Sequence, residues 1–500
     1  MQKFLPAVVI LSFLLSACEK ESLDRGASSS EPLSRADLNA LVEEHLLRTD
    51  DVFDWNEADD RTVWSALALS DNQAVLGYRP AGAADVRDRI HEIDVAAGAW
   101  RSTRDALVAD LRAATERHTG VSPTEEELFV APEDGVLPIL EVRILHPAVL
   151  AEFRRRPDVR YLEPSNYSPE EVRFRSDSGC SGAPAEPIDA GDYTTIAPGA
   201  KVSWTFLEAG IPQAWTRSQG DGIGLCVIDS GTYPEQDRLN GNFGTGRDLS
   251  RLGVYQPSWW SSRTDGPDDQ CGHGTQMAGL AAAPLSGTGS SVGVAYKSDL
   301  VAVRATSDVI INGSKEKRGV TDALVIAGQD NGTHIVSMSI GDVFSSGSVA
   351  DGVRYAHNRG KLIFAAAGTS LSWTSWYGVI FPASMDETVA VTGVQSGTPY
   401  ERCNTCHDGS KVDFVAVMQR RGDYDRTAIT LSRSGATPGY VGGSSAATAT
   451  TAGIAALVWA TAPGQRREQV LQRMKAAASI YPNRSGNFGW GTVNADLATR

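Results

Sequence analysis

The chain has 500 residues, 41% of them hydrophobic and 21% charged, a balance typical of globular proteins and a length that asks for more than one folded unit. The formal net charge of -15 leaves no basic block to displace counterions from phosphates, which argues against a nucleic-acid partner. Beyond that, the charge speaks to solubility and not to a substrate.

The chain opens with MQKFLPAVVILSFLLSAC (1–18), a lysine followed by an apolar run too short for a membrane span, which reads as an export signal. Its end, Leu15, Ser16, Ala17 and Cys18, resembles the box of a bacterial lipoprotein signal, in which the cysteine is lipidated and becomes the mature N-terminus. Residues 19–35 then read as a flexible tether. With Cys18 set aside, Cys180, Cys226, Cys271, Cys403 and Cys406 remain. Export permits disulfides, and the odd count leaves at least one thiol unpaired within the chain.

Residues 36–164 carry alternating strand and helix signals. AVLGY (74–78) predicts a strand, and Leu107, Val108, Leu111 and Ala114 share one face of a helix that stops before Gly120. ELFVA and PILEVRIL predict two strands about a turn at Glu133, Asp134 and Gly135, Pro147 opens a short helix, and DVRYLEP closes with a further strand. The sum is β-α-β-β-α-β, a small ferredoxin-like α+β unit. Residues 165–199, rich in Ser, Gly, Pro and acids, predict an exposed linker open to cleavage.

From residue 200 to 500 the pattern changes. GIGLCVID, DLVAVRA, HIVSMSI, LIFAAA and TVAVTGV are short, nearly continuous apolar runs, as expected of parallel strands buried on both faces. Helical stretches such as VTDALVIAGQDNG lie between several of them, which predicts an α/β domain with helices on both faces of a parallel sheet.

Three places in this region bear chemistry. VIDSG ends a buried strand with Asp229, where a lone carboxylate would be costly. CGHGTQMAGLAAA sets His273 at the start of a helix of small residues. GGSSAATATTAGIAALVWATA sets Ser444 and Ser445 at the start of another, facing unpaired amide donors that favour developing negative charge. Taken singly, the serines read as caps of a buried helix and the histidine as a cap or loop residue.

Together, in the order Asp, His, Ser, these segments resemble the subtilisin family of serine proteases. The resemblance runs over about residues 204–495 and includes GVAYKSDLVAVRA, VSMSIG, FAAAG, FPAS and GWGTVNA; PDVRYLEP upstream resembles the family's inhibitory propeptide. It implies Asp229, His273 and Ser445 as a catalytic triad, with Ser445 as the nucleophile, His273 as its base and Asp229 orienting the imidazole. It further implies that Ser339, Ile340 and Gly341 pair with an extended peptide substrate, that Ala366, Ala367 and Gly368 line the cleft, and that Pro382 falls where the family has a cis proline. Pocket loops such as TSLSWTSWYG (369–378) are expected to set substrate preference.

Departures from the family pattern are local. Thr369 stands where an asparagine commonly donates to the oxyanion, Ser444, Ala446 and Ala449 replace Thr, Met and Pro around the nucleophile, and Gln276 replaces a second histidine. Cys403 to His407 matches the C-x-x-C-H haem-attachment pattern, but without an apolar pocket or second ligand nearby it reads as a small disulfide loop. GSSVG (289–293) matches a nucleophile elbow, yet a helix precedes it and a strand follows, the reverse of what that motif needs. Cys271 reads as a free thiol near His273 or as a partner of Cys180 or Cys226. Asp265, Asp268 and Asp269 read as a solvated loop; structural calcium, which some relatives hold, is left open, and no metal or cofactor is expected to be required for catalysis.

The expectation is therefore an exported, lipid-anchored serine endopeptidase acting on polypeptides, made as a zymogen whose propeptide inhibits it intramolecularly. Thr369 motivates one alternative, a subtilisin-like peptide-binding lipoprotein whose catalysis has decayed.

Overall fold

The computed structural model describes residues 31–500 apart from 84, 133, 170–178, 241–245, 258–263 and 371–375. The export signal with Cys18, most of the tether, Glu133 of the expected turn, part of the linker and residues 371–375 of TSLSWTSWYG lie outside the described residues.

Among the described residues, nine strands form one large sheet. In spatial order they are Gly439–Val441, Asp423–Thr430, Phe414–Arg420, Val389–Gln395, Leu362–Ala366, Thr333–Met338, Gly224–Asp229, Asp299–Arg304 and Leu249–Gly253. From Phe414–Arg420 to Leu249–Gly253 every neighbouring pair is parallel, and the two strands at the other edge pair antiparallel. All five apolar runs expected to be parallel strands lie in this sheet. Their two-residue alternation explains why both faces are apolar: Leu225 and Val227 enter the core beneath helices His273–Ala282 and Gly443–Ala460, while Cys226 and Ile228 enter the core beneath Ser314–Gln329 and Gly347–Asn358. Cys226 is the free thiol among the described cysteines, and burial pushes it up to about 12, so it behaves as a small apolar side chain.

The N-terminal unit has its own sheet, in the order Ile139–Arg143, Gln73–Tyr78, Val159–Pro164, all antiparallel. It packs against helices Arg35–Thr49, Asp60–Ala68, Gly98–Thr119 and Pro147–Arg154. Among the described residues three strands stand where four were expected. ELFVA does not extend: residues Glu125–Leu128 form a helical turn, leaving Phe129 a single bridge to Val142. The cause is local, a capping box in which Thr124 accepts from the Glu127 amide while the Glu127 carboxylate accepts from the Thr124 amide.

This unit docks on the large sheet through apolar and polar contacts. Phe53 and Trp55 pack with Phe344, Trp55 stacking on it at 5.1 Å between ring centroids, and the Phe53 amide donates to the Val343 carbonyl at 2.8 Å. Arg160 and the Tyr161 hydroxyl both donate to buried Asp351, at 2.5 and 2.8 Å to Oδ2. Arg318 pairs with Glu141.

Glu163 closes the dock, accepting from the Gly347 amide at 2.6 Å and from Asn56 Nδ2 at 3.3 Å. Burial, only partly offset by Lys317, raises its carboxyl to about 7 from an ordinary 4.5. A carboxyl raised on folding favours the folded state fully below pH 4.5 and loses that contribution as pH climbs through 7. Urea titrations of the full chain across pH 4 to 8 are therefore expected to show a loss of up to about 3 kcal/mol in wild type that Glu163→Gln lacks. Parallel pH curves for the two proteins would contradict this origin.

Candidate active site

The site is assembled at the carboxyl ends of the parallel strands, the usual position for functional groups in such sheets. Asp229 is the last residue of Gly224–Asp229 and is 1% exposed. Its carboxylate holds His273 Nδ1 at 2.8 and 3.0 Å, and Oδ1 also accepts the Ser230 amide at 2.8 Å. His273 is the first residue of His273–Ala282 and is itself buried. The separation depends on Gly274, where a Cβ would lie 2.2 Å from the Gly231 carbonyl oxygen, so only a glycine lets the helix rest on the turn that follows Asp229.

Asp269 seats this helix, a role the sequence reading missed by grouping it with a solvated or calcium-binding loop. Its Oδ1 accepts from the Cys271 and Gly272 amides and the Ser230 hydroxyl at 2.9, 2.7 and 2.9 Å; its Oδ2 accepts from the Thr275 amide and hydroxyl at 3.0 and 2.7 Å. Ser230 Oγ in turn accepts from the Gly274 amide at 2.9 Å, tying the end of the Asp229 strand to the start of the His273 helix. An acid four residues before a helix that begins with small residues was the available signal. Asp265 and Asp268 do lie exposed in the loop, as expected, and pair with Arg304 and Arg251 at 2.6 and 2.7 Å.

Ser445 lies in the first turn of Gly443–Ala460, partly exposed, while its neighbour Ser444 is 1% exposed. The small residues of this helix let it pack against His273–Ala282 within one core. The Ser445 hydroxyl donates to the Ser339 carbonyl at 3.3 Å, and the Ser339 hydroxyl donates back to the Ser445 carbonyl at 3.0 Å. Ser445 Oγ makes no hydrogen bond to His273 in this arrangement. The structure thus joins Asp229 directly to His273, and joins Ser445 to the carboxyl edge of the sheet, where the chain leaves the central strand Thr333–Met338.

That edge is already partnered. The Gly341 amide donates to the Val309 carbonyl at 3.0 Å and its carbonyl accepts from the Ile311 amide at 3.2 Å; Ile340 is buried. An extended peptide therefore has to displace residues 309–311 to pair with Gly341. Gly368 packs on the His407 ring, and Phe381–Pro382 is cis. Thr369 is exposed, with its hydroxyl 3.3 Å from Ser444 Oγ.

Cys180 joins Cys271, two residues before His273, and Cys403 joins Cys406. The first bond fastens part of the expected linker (165–199) beside the site, with the Gly182 amide donating to the Cys271 carbonyl at 2.8 Å. Among the described residues no cluster of His, Cys, Asp and Glu has the arrangement of a metal site.

The family model of the Subtilase family matches residues 220–491, and the chain belongs to that family of serine proteases. It is 29% identical over 379 residues to the M-protease of Shouchella clausii, covering 75% of this chain and 83% of that protein. A thermophilic serine proteinase from a Bacillus species is 28% identical over 394 residues, 78% of this chain and 84% of that one. Among solved structures, MycP1 from Mycobacterium smegmatis aligns with a TM-score of 0.48 and 19% identity, over 66% of this chain and 92% of that chain.

Burial pulls the His273 imidazole down, but the Asp229 charge and hydrogen bond, with smaller contributions from Asp269 and Asp308, push it up further, and the net shift is above the ordinary 6.5. NMR titration is expected to give a midpoint above 6.5 for His273. In Asp229→Asn the burial effect dominates, and the midpoint should fall below 6.5; an unchanged midpoint would refute the coupling.

Proposed function

We propose that the chain is an exported serine endopeptidase that hydrolyses peptide bonds in polypeptides through Ser445, His273 and Asp229. The observation that carries this reading is the buried Asp229–His273 pair beside a partly exposed serine at a helix N-terminus. Ser445 Oγ attacks the scissile carbonyl carbon, and His273 Nε2 takes its proton and returns it to the leaving amine. Asp229, fixed on Nδ1, holds the tautomer with Nε2 free and stabilises the imidazolium. Water then releases the acyl group by the same proton route. Before attack, the Ser445 hydroxyl turns from the Ser339 carbonyl toward His273, a rotation about one side-chain bond. The Ser445 amide and the Thr369 hydroxyl receive the oxyanion.

The N-terminal unit (36–164) acts as the propeptide, and the junction (165–199) is cut by the enzyme itself. Its supports are the extensive dock and two contacts within the junction: Ser168 accepts from Asn312, and Gly179 lies against Val309 and His273. The match to the M-protease also spans more of the chain than the catalytic region alone. Lipidation of Cys18 would put the membrane anchor on the propeptide side of that cut, so the catalytic part leaves the membrane once it loses the cut propeptide.

A fluorophosphonate probe is expected to label the full chain and its Ser444→Ala variant but not Ser445→Ala. Failure to label the unaltered chain would favour a peptide-binding protein without catalysis. After fractionation, the cut catalytic part is expected in the soluble fraction and the N-terminal fragment in membranes; a cut catalytic part retained on washed membranes without its propeptide would refute anchor loss.

A further inference from the structure

Thr369 has a shorter side chain than the asparagine commonly found at its position, so its placement matters more. A hydroxyl on a one-carbon stem has little reach with which to correct a displaced backbone. The backbone around it is held by the C-x-x-C-H stretch. Thr369 forms an antiparallel bridge with Cys406, the Ser370 amide donates to the Thr405 carbonyl at 2.9 Å, and the His407 amide donates to the Gly368 carbonyl at 3.0 Å.

The stretch is itself fixed on several sides. The Cys403–Cys406 disulfide closes its turn, the Cys403 amide donates to the Gly393 carbonyl at 3.0 Å, and Thr392 Oγ1 donates to the His407 carbonyl at 2.5 Å. His407 is fully buried, and its Nδ1–H donates to the Gly378 carbonyl at 2.7 Å. Burial holds the ring neutral, down to about 4.

The disulfide also bears on the serine turn. A Cβ on Gly393 would lie 2.8 Å from Cys406 Sγ, 3.2 Å from Cys403 Sγ and 3.1 Å from the Gly443 carbonyl oxygen. The bare glycine lets the cystine and the turn before Ser445 both crowd onto the same face of one strand residue. The clamp thereby touches both halves of the oxyanion site, the Thr369 strand directly and the Ser445 turn through Gly393.

We propose that the Cys403–Cys406 clamp with His407 is a positioning element for catalysis, fixing the Thr369 hydroxyl beside the Ser444–Ser445 turn so that it serves as an oxyanion donor. This rests on the reading of Ser445 as nucleophile and Thr369 as donor. The clamp takes no part in bond making; it fixes where the donor stands.

The test is a double-mutant cycle on the full chain, read as kcat and KM on a peptide anilide, with Thr369→Val alone, Cys403→Ala/Cys406→Ala, and the three together. Thr369→Val is expected to lower kcat about 100-fold, the scale of one lost oxyanion donor. Opening the clamp is expected to lower kcat about 10- to 100-fold with KM within about twofold, the scale of a misplaced catalytic group. The combined protein should fall no further than Thr369→Val, because a displaced donor has nothing left to lose. Should the cysteine variant fold poorly, Thr392→Val removes one support of the loop and is expected to lower kcat in wild type but not in the Thr369→Val background. If Thr369→Val leaves kcat unchanged, the donor reading itself fails. If it lowers kcat while the clamp variants leave kcat unchanged, or multiply its loss in full, the clamp is structural and the proposal is overturned.

Discussion

The buried Asp229–His273 pair is the constraint to which the rest of the catalytic region is fitted. A carboxylate with 1% exposure carries a desolvation cost that only close partners offset. The strand end delivers Asp229, and the turn at Ser230 and Gly231 is the seat on which the His273 helix stands. Asp269 then fastens that helix by five hydrogen bonds, drawing in the Ser230 hydroxyl between strand and helix. A second buried acid thus holds the first in register with its histidine. Both acids hold geometry and, being buried, also act on the His273 imidazole by charge, Asp229 most strongly.

The same logic runs from the carboxyl end of the central strand Thr333–Met338 toward the N-terminal unit. From Ser339 to Phe344 one short run serves three partners in turn. Ser339 exchanges hydrogen bonds with Ser445, Gly341 pairs with residues 309–311, and Val343 and Phe344 receive Phe53 and Trp55. The N-terminal unit therefore grips the continuation of the strand that bounds the cleft. Between these points lies Asp342, buried and raised to about 6 by burial against the opposing pull of Lys317. The dock and the candidate cleft share one stretch of backbone.

Much of the fold was legible because it is written in short-range pattern. Five apolar runs predicted five parallel strands, and small-residue segments after glycines predicted the two buried helices. The residues of the candidate site were legible in another way: singly the serines and the histidine read as cap or loop residues, and only the order Asp229, His273, Ser445 with the surrounding motifs carried the resemblance that pointed to them. The reading failed where two local signals competed. ELFVA has strand composition, yet the Thr124–Glu127 capping box closed a helical turn first.

By itself the sequence determined the five parallel strands and the starts of the two small-residue helices, because each depends on a handful of adjacent residues; Asp229, His273 and Ser445 were proposed from three such segments read together, in the order that resembles the subtilisin family. Only the tertiary structure decided that Cys271 pairs with Cys180 across 91 positions, that Asp269 caps the histidine helix, that Gly341 is occupied by residues 309–311, and that the Ser445 hydroxyl faces Ser339. Those outcomes depend on which distant segments chain closure brings together, and on competition among several polar partners for one buried atom. No periodicity within a single segment encodes that competition.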